Sequence, residues 1–221
     1  MTPIAISPRF AEAGVSLTLT CIEADVLVEP SGPSLRARLE YEIEALNAAV
    51  GSKPPADIDG VAAARRAYLS LGKDPTRYRV SSEALIRRVV QGKGITPINN
   101  VVDVNNLISL RSHCPVGSYR LGALRPPVEF RAGREGESYK AIARGPLNLA
   151  DLPVFADSSG PFGSPTSDSE RSMIRPGSGR VLLVVIDFQP GKSLIAEFAA
   201  AALRDFCGAE NVETGIVGNE I

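Results

Sequence analysis

The densest group of side chains able to move protons or hold a polar ligand lies in Asp157–Arg171 (DSSGPFGSPTSDSER). It offers hydroxyls on Ser158, Ser159, Ser164, Thr166, Ser167 and Ser169, and carboxylates on Asp157, Asp168 and Glu170. A segment of this kind between two strands lines a pocket and hydrogen-bonds a ribose, an amine or a water. The competing reading is a flexible surface loop whose serines cap turns. His113 is the only histidine and sits beside Cys114. A single histidine excludes a multi-histidine metal site. A Cys–His nucleophile pair needs the two side chains to meet, and sequence neighbours on a helix point apart. A Ser-His-Asp triad would have to recruit the same His113, and no GxSxG elbow supports one. Gly191-Lys192-Ser193 has the setting of a phosphate-binding loop, but the glycine required five residues earlier is Ile186. Gly92-Lys93-Gly94 and Gly177-Ser178-Gly179 lack the third glycine of a dinucleotide fingerprint and read as turns.

Charge is uneven along the chain. Between residues 62 and 93, Arg65, Arg66, Lys73, Arg77, Arg79, Arg87, Arg88 and Lys93 stand against only Asp74 and Glu83. Such a stretch either faces phosphates or forms solvated helix faces with local ion pairs. The C-terminal stretch is acidic, with Glu197, Asp205, Glu210, Glu213 and Glu220 against Arg204. The whole chain carries a formal charge of −1, which disfavours a globally basic nucleic-acid binder but leaves room for a local patch. Trp is absent and aromatics are 5%, so stacking platforms for single-stranded nucleic acid are few.

The elements that must position these groups follow from apolar spacing. Val15–Val28 opens with alternation and predicts one strand or two. Leu35, Leu39, Ile43, Leu46 and Val50 recur at helical spacing, with Ser34 as N-cap and Gly51 as the stop. A second helix is expected over Asp57–Leu71, and a third after Ser81 or Ser82 as caps. Asn99–Leu110 is ambiguous by propensity; its stripe of Val101, Val104 and Ile108 favours a helix capped by Asn99 or Asn100. Beyond Pro115, short apolar runs separated by Gly and Pro predict strands at Tyr119–Leu124, Val128–Arg131, Tyr139–Ala143, Leu152–Ala156 and Val181–Phe188, then a helix over Ser193–Phe206. Helices first and strands later give an α+β class.

At 221 residues with 44% hydrophobic side chains, the chain is long enough to bury a sizeable core, roughly 70% of its unfolded surface. No composition break divides it, so one domain over residues 1–221 is expected. Cys21, Cys114 and Cys207 form no CxxC, which fits reduced thiols in the cytoplasm better than a disulfide or zinc framework. Met1–Phe10 lacks a basic start followed by an apolar run, so no secretory signal is expected. The longest apolar run, Val181–Ile186, is far short of the ~20 residues that span a bilayer, and no membrane partner is expected.

The stretch RRVVQGKGITPINNVVDVNNLISLRSHCPVGSYRL, Arg87 to Leu121, resembles the editing (B3/B4) domain of the phenylalanyl-tRNA synthetase β subunit. Thr96-Pro97-Ile98-Asn99 and Asn100-Val101-Val102-Asp103-Val104-Asn105-Asn106 match that module's Arg-Pro-Ile-Asn and Asn-Val-Val-Asp-Val-Thr-Asn helix. Leu152–Asp157 looks like its strand ending in Ala-Asp, and Gly160–Ser169 falls at its glycine-rich pocket loop. The match is strongest over residues 81–188, with an N-terminal strand and helices in 1–80 and a C-terminal helix and tail in 189–221. The resemblance implies a compact α+β fold around a β-sandwich of unusual topology with helices outside. It also implies hydrolysis of mischarged tRNA, with no metal and no cofactor. The chain lacks room for a synthetase catalytic core and looks like a free-standing form of the module.

On that resemblance, Asn99, Asn100, Asp103 and Asn106 shape one pocket wall, and Gly117 and Tyr119 a second. Asp157, Ser158, Gly160 and Ser169 supply polar contacts, and Asp168, Thr166 and Ser167 serve the reacting ester and water. Arg65, Arg66, Arg77, Arg79, Arg87 and Arg88 meet tRNA phosphates. Asp103 has a second reading as a structural helix residue. The module's pocket histidine falls at Gly117 and its aspartate at Arg120, and the glutamate that discriminates tyrosine has only Asp168 and Glu170 as candidates. Three functions therefore stand side by side: a deacylase acting on aminoacylated tRNA in trans, an RNA- or amino-acid-binding module without turnover, and a hydrolase or binder of a small metabolite. A contiguous positive face beside a polar pocket favours tRNA; scattered arginines around a closed pocket favour a metabolite.

Overall fold

The computed structural model describes residues 1–190 and 195–219. In chain order the elements are β1 (Ile4–Ile6), α1 (Arg9–Glu12), β2 (Thr18–Val28), α2 (Pro33–Val50), α3 (Asp59–Ser70), α4 (Ser81–Val90), α5 (Asn100–Ser112), β3 (Val116–Arg120), β4 (Val128–Ala132), β5 (Ser138–Ala141), β6 (Gly145–Asn148), β7 (Pro153–Asp157), β8 (Gly160–Gly163), β9 (Gly177–Asp187), α6 (Ile195–Cys207) and β10 (Glu210–Gly218). A central sheet runs β10-β2-β9-β3, an outer sheet runs β1-β4-β7-β8, and β5 and β6 form a separate hairpin. This is the expected α+β class.

The middle strand explains the layering. Val181, Leu183 and Val185 of β9 join one core with α2, α5 and α6; Leu182, Val184 and Ile186 join a second core with the outer sheet. A strand covered on both faces reads as a continuous apolar run, as Val181–Ile186 does. Each of these six side chains contributes about 1.5–3 kcal/mol relative to exposure. The central sheet therefore lies between a helical layer and the outer sheet. Helix α3 closes one flank, with Val61 in the first core and Ala63, Ala64, Ala67 and Tyr68 in the second.

Helix α5 starts as its sequence indicates. Asn99 is extended and its side chain accepts from the Val102 amide at 2.9 Å. Asn99→Ala is expected to cost ~1 kcal/mol of stability, read as a lower urea midpoint with an unchanged slope. Two other caps differ from expectation. Helix α2 begins at Pro33 with Gly32 as N-cap, leaving Ser34 inside the first turn. Helix α4 has Val80 at its N-cap; Ser81 donates its amide to the Pro165 carbonyl at 2.7 Å, so an acceptor 84 residues away in the chain replaces a side-chain cap.

Further boundaries shift. The second helix is split into a 3-10 turn at Pro55–Asp57 and α3. The strand expected over Tyr119–Leu124 starts earlier and stops at Arg120, followed by a 3-10 turn at Leu121–Ala123. The last helix is described from Ile195, and Gly191-Lys192-Ser193 lies outside the described residues. Strands β1, β6, β8 and β10 were not anticipated. Among the described residues no helix is long and apolar enough to cross a membrane.

Candidate active site at Tyr119 and Asp168

Residues 157–171 do not form a simple loop. They include the β7–β8 hairpin and then a pinned segment, 164–172, against the free edges of both sheets. Ser169 donates its amide to the Phe162 carbonyl (3.1 Å), Arg120 to Ser172 (2.9 Å), Ile142 to Asp168 (2.9 Å) and Glu170 to Lys140 (3.0 Å). The Ser164 hydroxyl accepts from the amides of Thr166 and Ser167 and donates to the Ser167 carbonyl, closing a tight turn.

At the centre stands Tyr119. Gly117 and Tyr119 share one face of β3, and the tyrosine ring folds back over the glycine. A Cβ built on Gly117 would lie 2.2 Å from the Tyr119 hydroxyl; one on Gly163 of β8 would lie 2.4 Å from the same oxygen. Phe155 and Phe162 meet the ring edge-on, with centroids 5.6 and 5.0 Å away. The ring is 0% exposed. Its hydroxyl donates to Asp168 Oδ1 at 3.0 Å, and the Ser164 amide donates to that oxygen at 3.2 Å. Tyr68 on α3 shares a hydrogen bond with Thr166 (3.0 Å), and the Tyr139 hydroxyl donates to the Ser167 carbonyl (2.5 Å).

Burial pushes the Asp168 carboxyl up to about 7, against the hydrogen bonds from Tyr119 and from backbone amides, which pull it down. Burial also drives the Tyr119 hydroxyl well above its usual range, with the Asp168 charge adding to it. Tyr119 is thus a neutral donor, and Asp168 exchanges its proton near neutrality. Asp157 behaves oppositely. Burial raises its carboxyl, but the forked Arg171 guanidinium, at 3.0 Å to each oxygen, and the amides of Arg125 and Ser159 outweigh that and hold it below the usual range.

The predicted residues thus fall into three places. Gly117, Tyr119, Thr166, Ser167, Asp168 and Ser169 converge around the tyrosine ring or the segment beside it. Asp157, Ser158 and Gly160 line a separate cleft of about 500 Å³ on the outer sheet, with Arg131, Arg134 and Glu137. Asn99, Asn100 and Asp103 lie on the helical side of the central sheet. There Asn100 bonds the Leu27 and Phe206 carbonyls and the Glu29 amide, and Asp103 accepts from the Ser31 hydroxyl at 2.5 Å and the Ile98 amide at 3.3 Å. Asn106, on the same helix, is half-buried. His113 is the left-handed C-cap of α5 and lines another cleft with Lys53, Asp59 and Gln189. Tyr68, Tyr139, Phe155, Phe162 and Gly163 are not among the predicted pocket residues, and Ser164 is predicted only as one hydroxyl of its segment; the sequence signal for the others is no more than an aromatic or a glycine inside an apolar element.

Beside this group lies the basic stretch. Glu83, fully buried in the first turn of α4, meets Arg65 (2.9 Å), Arg87 (3.0 Å) and Arg79 (3.5 Å). Arg66, Arg77 and Arg88 are exposed. The same two helices touch the pinned segment: Tyr68, one turn beyond Arg65, reaches Thr166, and Ser81 reaches Pro165. The exposed Arg66 and Arg88 therefore belong to the two helices that touch the Asp168 segment, with exposed Arg77 in the connection between them. Among the described residues no group of three or more His, Cys, Asp or Glu is placed to hold a metal ion.

The B3/4 domain family matches residues 63–200, more than half of the chain. The chain belongs to the B3/4 domain family. A search of curated proteins finds no match. Among solved structures, the chain is similar to an N-terminal fragment of the phenylalanyl-tRNA synthetase β subunit from Pyrococcus horikoshii. The TM-score is 0.51 at 10% identity, covering 100% of this chain and 55% of the other, so this chain spans about half the length of that fragment. At that identity the likeness is one of fold. In this B3/4 domain a side chain at Gly117 would collide with the Tyr119 ring as it packs here.

Proposed function

We propose that this B3/4 domain is a free-standing editing-type hydrolase that removes the amino acid from mischarged tRNA in trans. The observation that supports it is Asp168, a carboxyl that burial pushes up to about 7, on a segment touched by the two helices that carry the exposed Arg66 and Arg88. Aminoacyl esters are activated by their ribose, so the chemistry asks for a positioned water and a modest base. Ionised Asp168 takes a proton as water adds to the ester carbonyl. The bond to the ribose oxygen then breaks, and that oxygen recovers a proton, leaving a free amino acid and a terminal ribose hydroxyl. Phosphates of the acceptor end meet Arg66, Arg77 and Arg88, with the Glu83 cluster beneath them.

The test is deacylation of a panel of correctly and incorrectly charged tRNAs by the wild type and by Asp168→Ala. Hydrolysis of a mischarged species, lost in the variant, is the expected result; no hydrolysis of any species overturns the proposal. A second reading, a binding module without turnover, is favoured by the closed packing of Tyr119 over Gly117 and predicts tRNA retention on a filter with no deacylation. Arg66→Ala and Arg88→Ala are each expected to lower the slope of log affinity against log salt by roughly 0.7–0.9, with little change in melting temperature.

A further inference from the structure

Tyr119 has surroundings that a bound ligand would have. Two glycines flank the ring so closely that neither tolerates a Cβ, two phenylalanine edges meet it, and a carboxyl accepts its hydroxyl. Gly117 comes from the central sheet, whereas Phe155, Phe162 and Gly163 come from the outer sheet, so the box spans the sandwich interface. A structural core tyrosine needs neither paired glycines nor a carboxyl that burial makes costly to ionise. We propose that Tyr119 occupies in cis the space that an aromatic substrate side chain would fill, and so restricts the site to small aminoacyl side chains such as alanyl or seryl. The restriction rests on the hydrolase reading; the occupancy of the box does not.

An aromatic substrate would have to displace a fully buried ring that is hydrogen-bonded at its tip. The ring is held between residues of three strands, Gly117 of β3, Phe155 of β7 and Phe162 and Gly163 of β8, so moving it aside would disturb both sheets. A small side chain needs no such displacement.

Tyr119→Ala removes the atoms of a phenol. Phenol at millimolar concentration is expected to raise the melting temperature of Tyr119→Ala, and to restore its circular dichroism if the variant is unfolded alone. Benzene should do so less well, because it has no hydroxyl for Asp168. Wild type and Tyr119→Phe, whose rings still fill the box, should not respond. No stabilisation of Tyr119→Ala by phenol, folded or unfolded, overturns the proposal, as does an equal response of the wild type. With aminoacyl-tRNA, wild type is expected to cleave alanyl or seryl esters at least about tenfold faster than tyrosyl or phenylalanyl esters, and Tyr119→Ala to narrow that ratio. Wild-type cleavage of aromatic esters as fast as small ones overturns the restriction. If no ester is cleaved, the hydrolase reading fails and the phenol response alone decides whether the box is real.

Discussion

Asp168→Asn is expected to lose about 10²–10⁴-fold in ester hydrolysis while making the protein more stable at pH 8. The two effects have one origin. Burial raises the folded-state carboxyl to about 7, whereas the unfolded chain ionises near ~3.9. The folded state therefore favours the protonated acid. Its stability is undiminished below pH ~4, falls as pH rises from ~4 to ~7, and stays at the lower level above that. A shift of about three units corresponds to at most ~4 kcal/mol. Asparagine keeps an oxygen for the Tyr119 hydroxyl and the Ser164 amide but carries no charge, so this fall should vanish in urea titrations at pH 5 and pH 8. The rate of the wild type should rise through an inflection near pH 7 that the variant lacks. A variant that loses stability at pH 8, or retains the inflection, would show that Asp168 only anchors its segment. The acid side has the opposite sign. Asp157 is held low by Arg171. Burial raises Glu137, but the forked Arg131 guanidinium at 2.7 and 2.8 Å outweighs it. The stability these two contribute is present above ~4 and lost as pH falls through their lowered values. Wild-type stability is thus expected to peak on the acidic side of neutrality.

Glu83→Ala should have the largest effect on folding of any single charge removal. Its carboxylate is 0% exposed and holds three guanidinium groups from α3, the α3–α4 connection and α4. Removing it leaves those cations facing one another around a buried void. Breaking a buried pair costs about 3–5 kcal/mol; water reaches all three arginines, so the low end of that range is expected. Glu83→Gln, which preserves shape, should recover only part of the loss. The double variant Glu83→Ala, Arg87→Ala should lose less than the two single variants summed, because the second change relieves the repulsion left by the first. Additive losses would mean that the three arginines do not share this carboxylate in solution.

Helix α5 was legible because its signals are local: Asn99 caps it three residues from its partner, and the valine stripe lies within four turns. The run Val181–Ile186 was legible as a buried strand, although not that its two faces would enter different cores. Strand β10 was missed because Glu210, Asn211 and Glu213 sit on an exposed edge and give no alternation. The Asp168 segment stood out in the sequence by its hydroxyls and carboxylates. What it touches was hidden, since Tyr68, Tyr119 and Tyr139 approach from distant parts of the chain. Gly117 read as the loss of a histidine; only the fold shows a tyrosine ring over it. The arginines left two readings open in the sequence, a phosphate-facing patch or helix faces with local ion pairs; among the described residues three of the six form ion pairs, all with one glutamate that counted in the sequence as one more charge.

The segment from Ser164 to Ser172 also guards solubility. Strands β3 and β8 end their sheets, and an uncovered sheet end is a template on which a strand of another molecule can grow. Here the Arg120 amide and the Phe162 carbonyl are taken by Ser172 and Ser169 of the same chain. Swinging this segment away to admit a ligand would bare both edges at once and invite self-association. A ligand that reaches Asp168 with this segment in place leaves both edges covered.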